Sequence, residues 1–203
     1  MDRSTPRIKI LVLGDSDVGK ANLITRYVKD EFWEGKRSAF DFLVKTTHMD
    51  GKEVRIELWD TPSRHAFHPL HPSMFRDVGG AMIVYDITNQ SSFDSVATWL
   101  QELRVFVPPT CCIFLIGNKC DLEHLRVVRK ENADKFAREN GLSFLETSAL
   151  EKTNVDKAFE WLAKSVFDVS VAPSTEAPSN RPGGPVKADI AKPREEKKEK
   201  SCC

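Results

Sequence analysis

The stretch from Gly14 to Ala21 reads GDSDVGKA. A glycine, a short spacer, then a second glycine followed at once by lysine is an arrangement that wraps phosphate groups. Successive backbone N–H groups and the first turn of a helix point at the anion, and the lysine adds a full positive charge. The groups in reach of a phosphate chain would be Gly14, Asp15, Ser16, Asp17, Val18, Gly19 and Lys20, followed by Ala21 and Asn22. The usual pattern closes with Ser or Thr, whose hydroxyl ligates Mg²⁺. Ala21 offers a methyl group instead, and a methyl cannot replace an oxygen ligand on a hard cation.

A second group of residues has the chemistry of a purine pocket. In Asn118-Lys119-Cys120-Asp121, the Asp121 carboxylate can accept parallel hydrogen bonds from N1–H and the 2-amino group of guanine, which adenine lacks. The aliphatic stem of Lys119 can cover one face of the base, and Asn118 can tie this loop to the glycine loop. Ser148-Ala149-Leu150, in FLETSAL, can turn backbone amides toward the guanine carbonyl. Asp60, in WDTPSRH, can hold a metal ion through water. Taken singly, the glycine loop also fits an ordinary strand-to-helix turn, and N-K-x-D a polar turn after a strand. Taken together they sit where open α/β sheets hold ligands, at the carboxyl ends of apolar runs.

Those runs define the scaffold. Ile8–Leu13 is apolar and leads into the glycine loop, and ANLITRYV after it has helical spacing. Phe40–Met49 and Val54–Leu58 are separated by Asp50-Gly51, a hairpin signal, and Val54, Ile56 and Leu58 alternate with charged neighbours. Ala81–Tyr85, Cys112–Ile116 and Ser143–Leu145 read as buried strands. Ser91–Arg104, Arg129–Asn140 and Asn154–Phe167 read as helices. Alternation of this kind predicts an α/β fold with a doubly wound, mostly parallel sheet and one antiparallel strand from the hairpin. Residues 1–167 form one domain in this reading. Residues 168–203, rich in proline and without an aromatic residue, form a disordered tether.

Composition narrows the class. The 203 residues are 40% hydrophobic, enough for one core, and 30 basic residues balance 30 acidic ones, so no basic face argues for a nucleic-acid partner. No run approaches the roughly 20 apolar residues of a membrane span, and the N-terminus lacks a signal-peptide segment, which predicts a cytosolic body. Cys111, Cys112 and Cys120 read as small apolar side chains rather than a disulfide framework or metal site.

The chain resembles the Rab-type small GTPases of the Ras superfamily over roughly residues 7–167. The resemblance rests on GDSDVGK, WDT, NKCD and ETSAL, with the phrases VYDIT, WLQELR and NGLSFLETSALEKTNVDKAF. With DLEHLRVV after NKCD, the wording is similar to the branch associated with recycling endosomes. The resemblance implies a six-stranded sheet, GTP and GDP as ligands, and a setting in vesicle traffic. Implied partners are effectors, exchange factors, a GDP-dissociation-inhibitor-type chaperone and the prenylation machinery. The implied location is the cytoplasmic face of endomembranes, recycling endosomes or Golgi-related vesicles, together with the cytosol. The spacing of Phe32 after Lys20 predicts that its ring covers the other face of the base.

The chain departs from the family where the metal and the attacking water are handled. The metal-binding threonine expected before Asp41-Phe42 is Arg37, leaving Ser38 as the nearby hydroxyl. W-D-T-A-G-Q becomes Trp59-Asp60-Thr61-Pro62-Ser63-Arg64; Ser63 after a proline restricts the backbone rotation glycine would allow. Arg64 replaces the glutamine that orients water, and a guanidinium has donors but no acceptor. Asp17 stands where glycine is common and opposes the phosphates, a penalty of a few kcal/mol in a desolvated site, with Lys20 countering it. The expected protein therefore binds guanine nucleotide, holds Mg²⁺ weakly or not at all, and hydrolyses GTP slowly or not at all. Two alternatives remain at this point: a GTP hydrolase using Arg64 and Ser38, and a nucleotide-free scaffold. The chain ends KPREEKKEKSCC, and the resemblance implies a geranylgeranyl group on each of Cys202 and Cys203, anchoring the protein to membrane.

Overall fold

A computed structural model describes residues 5–34, 42–61 and 72–171. Arg37, Ser38, Asp41, Ser63, Arg64, Cys202, Cys203 and the proline-rich tail lie outside the described residues. The chain divides into Met1–Ala172 and Pro173–Cys203, and all described residues belong to the first unit.

Six strands form one sheet: β1 (Arg7–Leu13), β2 (Leu43–Met49), β3 (Lys52–Asp60), β4 (Val78–Asp86), β5 (Cys112–Asn118) and β6 (Ser143–Thr147). Their order is β2-β3-β1-β4-β5-β6, parallel throughout except for the β2–β3 pair. The predicted hairpin forms at Asp50 and Gly51, whose φ values of 51° and 75° are those of a tight turn that matches the twist of the strands. Apolar alternation fixes its register, since Val54, Ile56 and Leu58 are all fully buried.

Helices cover both faces. On one, α1 (Lys20–Lys29) and α5 (Val155–Val171) pack Leu23, Ile24, Phe159 and Leu162 against Ile10, Val12, Val84 and Ile116. On the other, α3 (Val96–Phe106) and α4 (Lys130–Glu139) pack Trp99, Leu103 and Ala133 against Leu11, Ile83 and Leu115. Cys111 and Cys112 point to opposite faces, one against each core, and burial pushes the Cys111 thiol up to about 12. They behave as small apolar side chains, as expected.

Two helices differ from their predicted limits. The helix expected over 91–104 is a short α2 (Gln90–Asp94) followed by α3, with Ser95 between them. Ser95 keeps helical angles and its hydroxyl donates to Ser91 O, so the period continues across the break. At the other end, α5 runs past Phe167 through Val171. The extra turn is held by a Lys164–Asp168 pair at 2.6 Å and by the Ser170 hydroxyl on Val166 O. Proline restricts the backbone of the residue before it, and the first one after this helix is Pro173.

Chain order reverses at β1, which has β3 on one side and β4 on the other. The carboxyl ends of β1, β3, β5 and β6 deliver the glycine loop, Asp60, the NKCD loop and the Ser148 loop to one edge. This is the crevice at which doubly wound sheets bind ligands.

Candidate nucleotide site

The glycine loop is held where only glycine fits. Gly14 has φ 140°, and a Cβ there would lie 2.2 Å from Val84 O; Gly19 has φ 96°, and its Cβ would lie 2.4 Å from the Asn118 side-chain amide. Gly19 then caps the N-terminus of α1, whose first residue is Lys20. The Lys20 ammonium is buried and donates to Gly14 O at 2.8 Å and Asp15 O at 2.7 Å. Burial lowers its pKa from the usual lysine value, with the charges of Asp60, Asp15 and Asp17 opposing that shift. Asp15 itself accepts a 2.8 Å hydrogen bond from the Trp99 indole, which pins the loop to α3. Asp17 takes a left-handed φ of 63°, which Asp tolerates better than most residues, and is exposed. Water therefore screens its charge, and its opposition to phosphate is weaker than in a desolvated site.

Among the described residues, the metal side of the site rests on Asp60. Asp60 ends β3 and is 9% exposed, and its Oδ1 is buried with no hydrogen-bond partner. Burial raises its carboxyl to about 6, with Lys20 working in the other direction. An orphaned buried carboxylate oxygen fits a role facing a hydrated cation. Ala21, at the head of α1, gives such an ion nothing to bind, so the described residues do not fit a fully ligated Mg²⁺. The Thr61 hydroxyl is turned inward, donating to Val12 O at 2.9 Å.

The base side is cross-tied by several hydrogen bonds. The Asn118 amide donates to Val18 O at 2.8 Å, joining the base loop to the glycine loop as its position predicts, and its carbonyl oxygen accepts from the Thr147 hydroxyl. The Ser148 hydroxyl donates to Asp121 Oδ1 at 2.5 Å and accepts from the Glu151 amide. Lys119 has a left-handed φ of 68° and its ammonium pairs with Asp86 Oδ2 at 2.6 Å. Asp86 Oδ1 in turn accepts from the amide and hydroxyl of Thr88. With its ammonium fixed there, the stem of Lys119 is held in place. Ala149 is buried, and Leu150 is half exposed.

Two further expected residues, Phe32 and Asn22, lie close to the glycine loop in sequence. Phe32 is half-buried and packs against the α1–α5 core. The Asn22 side chain exchanges hydrogen bonds with the backbone of Trp33, so its remaining offering to an anion is its own amide. Asp86 and Trp99 fall inside VYDIT and WLQELR, yet sequence reasoning assigned them no role. Arg26, which reaches Ala149 O and Leu150 O, gave no signal beyond its helical position.

Comparison with known proteins bears on the family. A family model described as "Ras family" matches residues 9–168. The chain is 37% identical over 200 residues to "Ras-related protein Rab2BV" of Beta vulgaris, covering 96% of this chain and 93% of that protein. To "Ras-related protein RABA2a" of Arabidopsis thaliana it is 36% identical over 201 residues, with the same coverage. To "GTP-binding protein ypt3" of Schizosaccharomyces pombe it is 42% identical over 171 residues, 83% of this chain and 80% of that one.

Proposed function

Since this chain belongs to the Ras family as a Rab-type small GTPase, we propose that it binds guanine nucleotide with little dependence on Mg²⁺ and recruits partners in vesicle traffic while turning GTP over slowly or not at all. Family membership implies GTP and GDP as ligands, with effectors, exchange factors and a GDP-dissociation-inhibitor-type chaperone as the general classes of partner. The finer reading is carried by one observation: the base cradle is internally braced, while on the metal side Asp60 has an orphaned oxygen and Ala21 supplies no oxygen ligand.

Each described residue has a definite task in this reading. Lys20 and the amides that follow Gly14 hold the phosphates. Asp121, braced by Ser148, reads N1–H and the 2-amino group, and the Ala149 amide meets the guanine carbonyl. Mg²⁺, when present in such a site, neutralises phosphate charge; Asp60 would face it through water. Arg64 in place of glutamine and Ser63 in place of glycine further support slow turnover, because a guanidinium has no acceptor with which to orient the attacking water and a serine Cβ restricts the backbone that glycine would free. Cys202 and Cys203 are proposed to carry the lipids that hold the protein on endomembranes. No helix among the described residues is long and apolar enough to cross a membrane.

The deciding experiment measures nucleotide content of the purified protein and its GDP and GTP affinity with and without Mg²⁺, beside Ala21→Ser. Wild type is expected to bind guanine nucleotide and to lose less than about tenfold in affinity in EDTA. Ala21→Ser should become metal-dependent by about tenfold or more, the equivalent of one regained oxygen ligand. Metal-dependent binding and ordinary turnover by the wild type would overturn this account.

A further inference from the structure

A base slot is only as selective as the placement of its walls. Arg26 lies on α1, the helix that Lys20 opens, and its side chain is 16% exposed. Its Nε donates to Ala149 O at 2.9 Å, its Nη2 to Leu150 O at 3.1 Å and its Nη1 to Asp30 O at 2.9 Å. The same guanidinium lies 5.9 Å from the centre of the Phe32 ring. One side chain therefore touches the loop that follows β6 and the aromatic that follows α1.

We propose that Arg26 is a positioning residue for the purine, setting the Ala149 amide against the guanine carbonyl and the Phe32 ring beside it without touching the base. The proposal rests on the guanine-binding reading above. The loop is fixed on both sides of the amide in question: Ser148 N–H donates to Thr153 O at 3.0 Å, and the Ala149 carbonyl is held by Arg26. Among the described residues, none accepts a hydrogen bond from the Ala149 amide, which leaves it for a ligand. Holding three carbonyls at once needs the planar, five-donor fork of arginine; the single ammonium of lysine cannot span them in fixed directions.

The test uses the full-length protein, wild type and Arg26→Ala, with GDP, 6-thio-GDP and IDP. The sulfur analogue weakens the acceptor that faces Ala149, whereas IDP lacks the amino group that Asp121 reads. Arg26→Ala is expected to release GDP about tenfold faster, as for loss of a charge-assisted hydrogen bond. The wild-type preference for GDP over 6-thio-GDP should nearly vanish in the variant, while the preference over IDP should persist. Arg26→Lys should resemble Arg26→Ala, and it carries the same criteria if Arg26→Ala does not fold by circular dichroism.

Equal losses for all three nucleotides would mean a general structural staple and would overturn the proposal. So would an unchanged preference, with wild type still binding GDP; the guanine reading would then stand alone. Wild type that binds none of the three nucleotides refutes the guanine reading and this role together.

Discussion

The two halves of the site are built to different standards. On the base side, polar groups are paired: Asn118 with Val18 and Thr147, Asp121 with Ser148, Lys119 with Asp86. On the phosphate side the backbone cradle is equally well formed, yet Asp60 has a buried oxygen without a partner, and Ala21, the first residue after Lys20, has no oxygen to offer a cation. Pairing a buried polar group costs little net, whereas leaving one unpaired costs the desolvation of that group. This contrast supports the proposed reading, in which nucleotide affinity rests on the purine more than on a metal.

The largest test of that contrast is Asp121→Ala. In the proposed role of Asp121 it removes the acceptor for two guanine donors, and it takes away the partner to which the Ser148 hydroxyl donates, so guanine nucleotide affinity should fall by about 10³-fold or more, as sites built for a hydrogen-bonding group do when it is unmatched. Xanthosine nucleotide, with a carbonyl in place of the amino group, should bind Asp121→Asn better than wild type. Competition against a fluorescent guanine nucleotide measures both. An Asp121→Ala variant with undiminished affinity would show that the two halves do not differ as described.

Next in size is the effect of Asp60 on stability, which belongs to the phosphate half. The folded carboxyl titrates at about 6 against 3.8 for the free group. A carboxyl raised by folding binds more protons in the folded state between those values, so stability falls as pH rises through that window and the penalty is full above it. The span corresponds to about 3 kcal/mol at most, at 1.36 kcal/mol per unit. Asp60→Asn should therefore raise the melting temperature of nucleotide-free protein in EDTA at pH 7 and leave it nearly unchanged near pH 4. A wild-type stability that stays flat or rises between pH 4 and 6, after correction with the Asn variant, would contradict the buried, unpartnered carboxylate.

Much of this was legible in residue order. Buried strands declare themselves by apolar runs, the hairpin by Asp50-Gly51, and the cradle by glycines whose Cβ would strike Val84 and Asn118. The Asn118 tie to the glycine loop followed from motif chemistry. The break at Ser95 did not show because Ser95 keeps helical angles, so the hydrophobic period runs through it. The braces were hidden for a different reason. Trp99 meets Asp15 across 84 positions and Arg26 meets Ala149 across 123, and helical spacing says only that a tryptophan is inward, not which carboxylate its N–H will find. Contacts of that span depend on how α3 and α1 pack on the sheet, which no local pattern contains.

The smallest expected effect separates the halves most cleanly. Trp99→Phe keeps an aromatic ring in the α3 core and removes the N–H that holds Asp15. The loss should be that of one hydrogen bond to a charged acceptor in a partly buried place, about 1–2 kcal/mol. Asp15 carries one of the carbonyls that Lys20 engages, so a loosened Asp15 loosens the phosphate cradle. GDP should bind about fivefold to thirtyfold more weakly by that conversion, whereas guanosine, which lacks phosphate, should bind as tightly as to wild type. If guanosine and GDP weaken together, the indole supports the whole site through α3 packing. The division between a braced purine pocket and a separately held phosphate loop would then need redrawing.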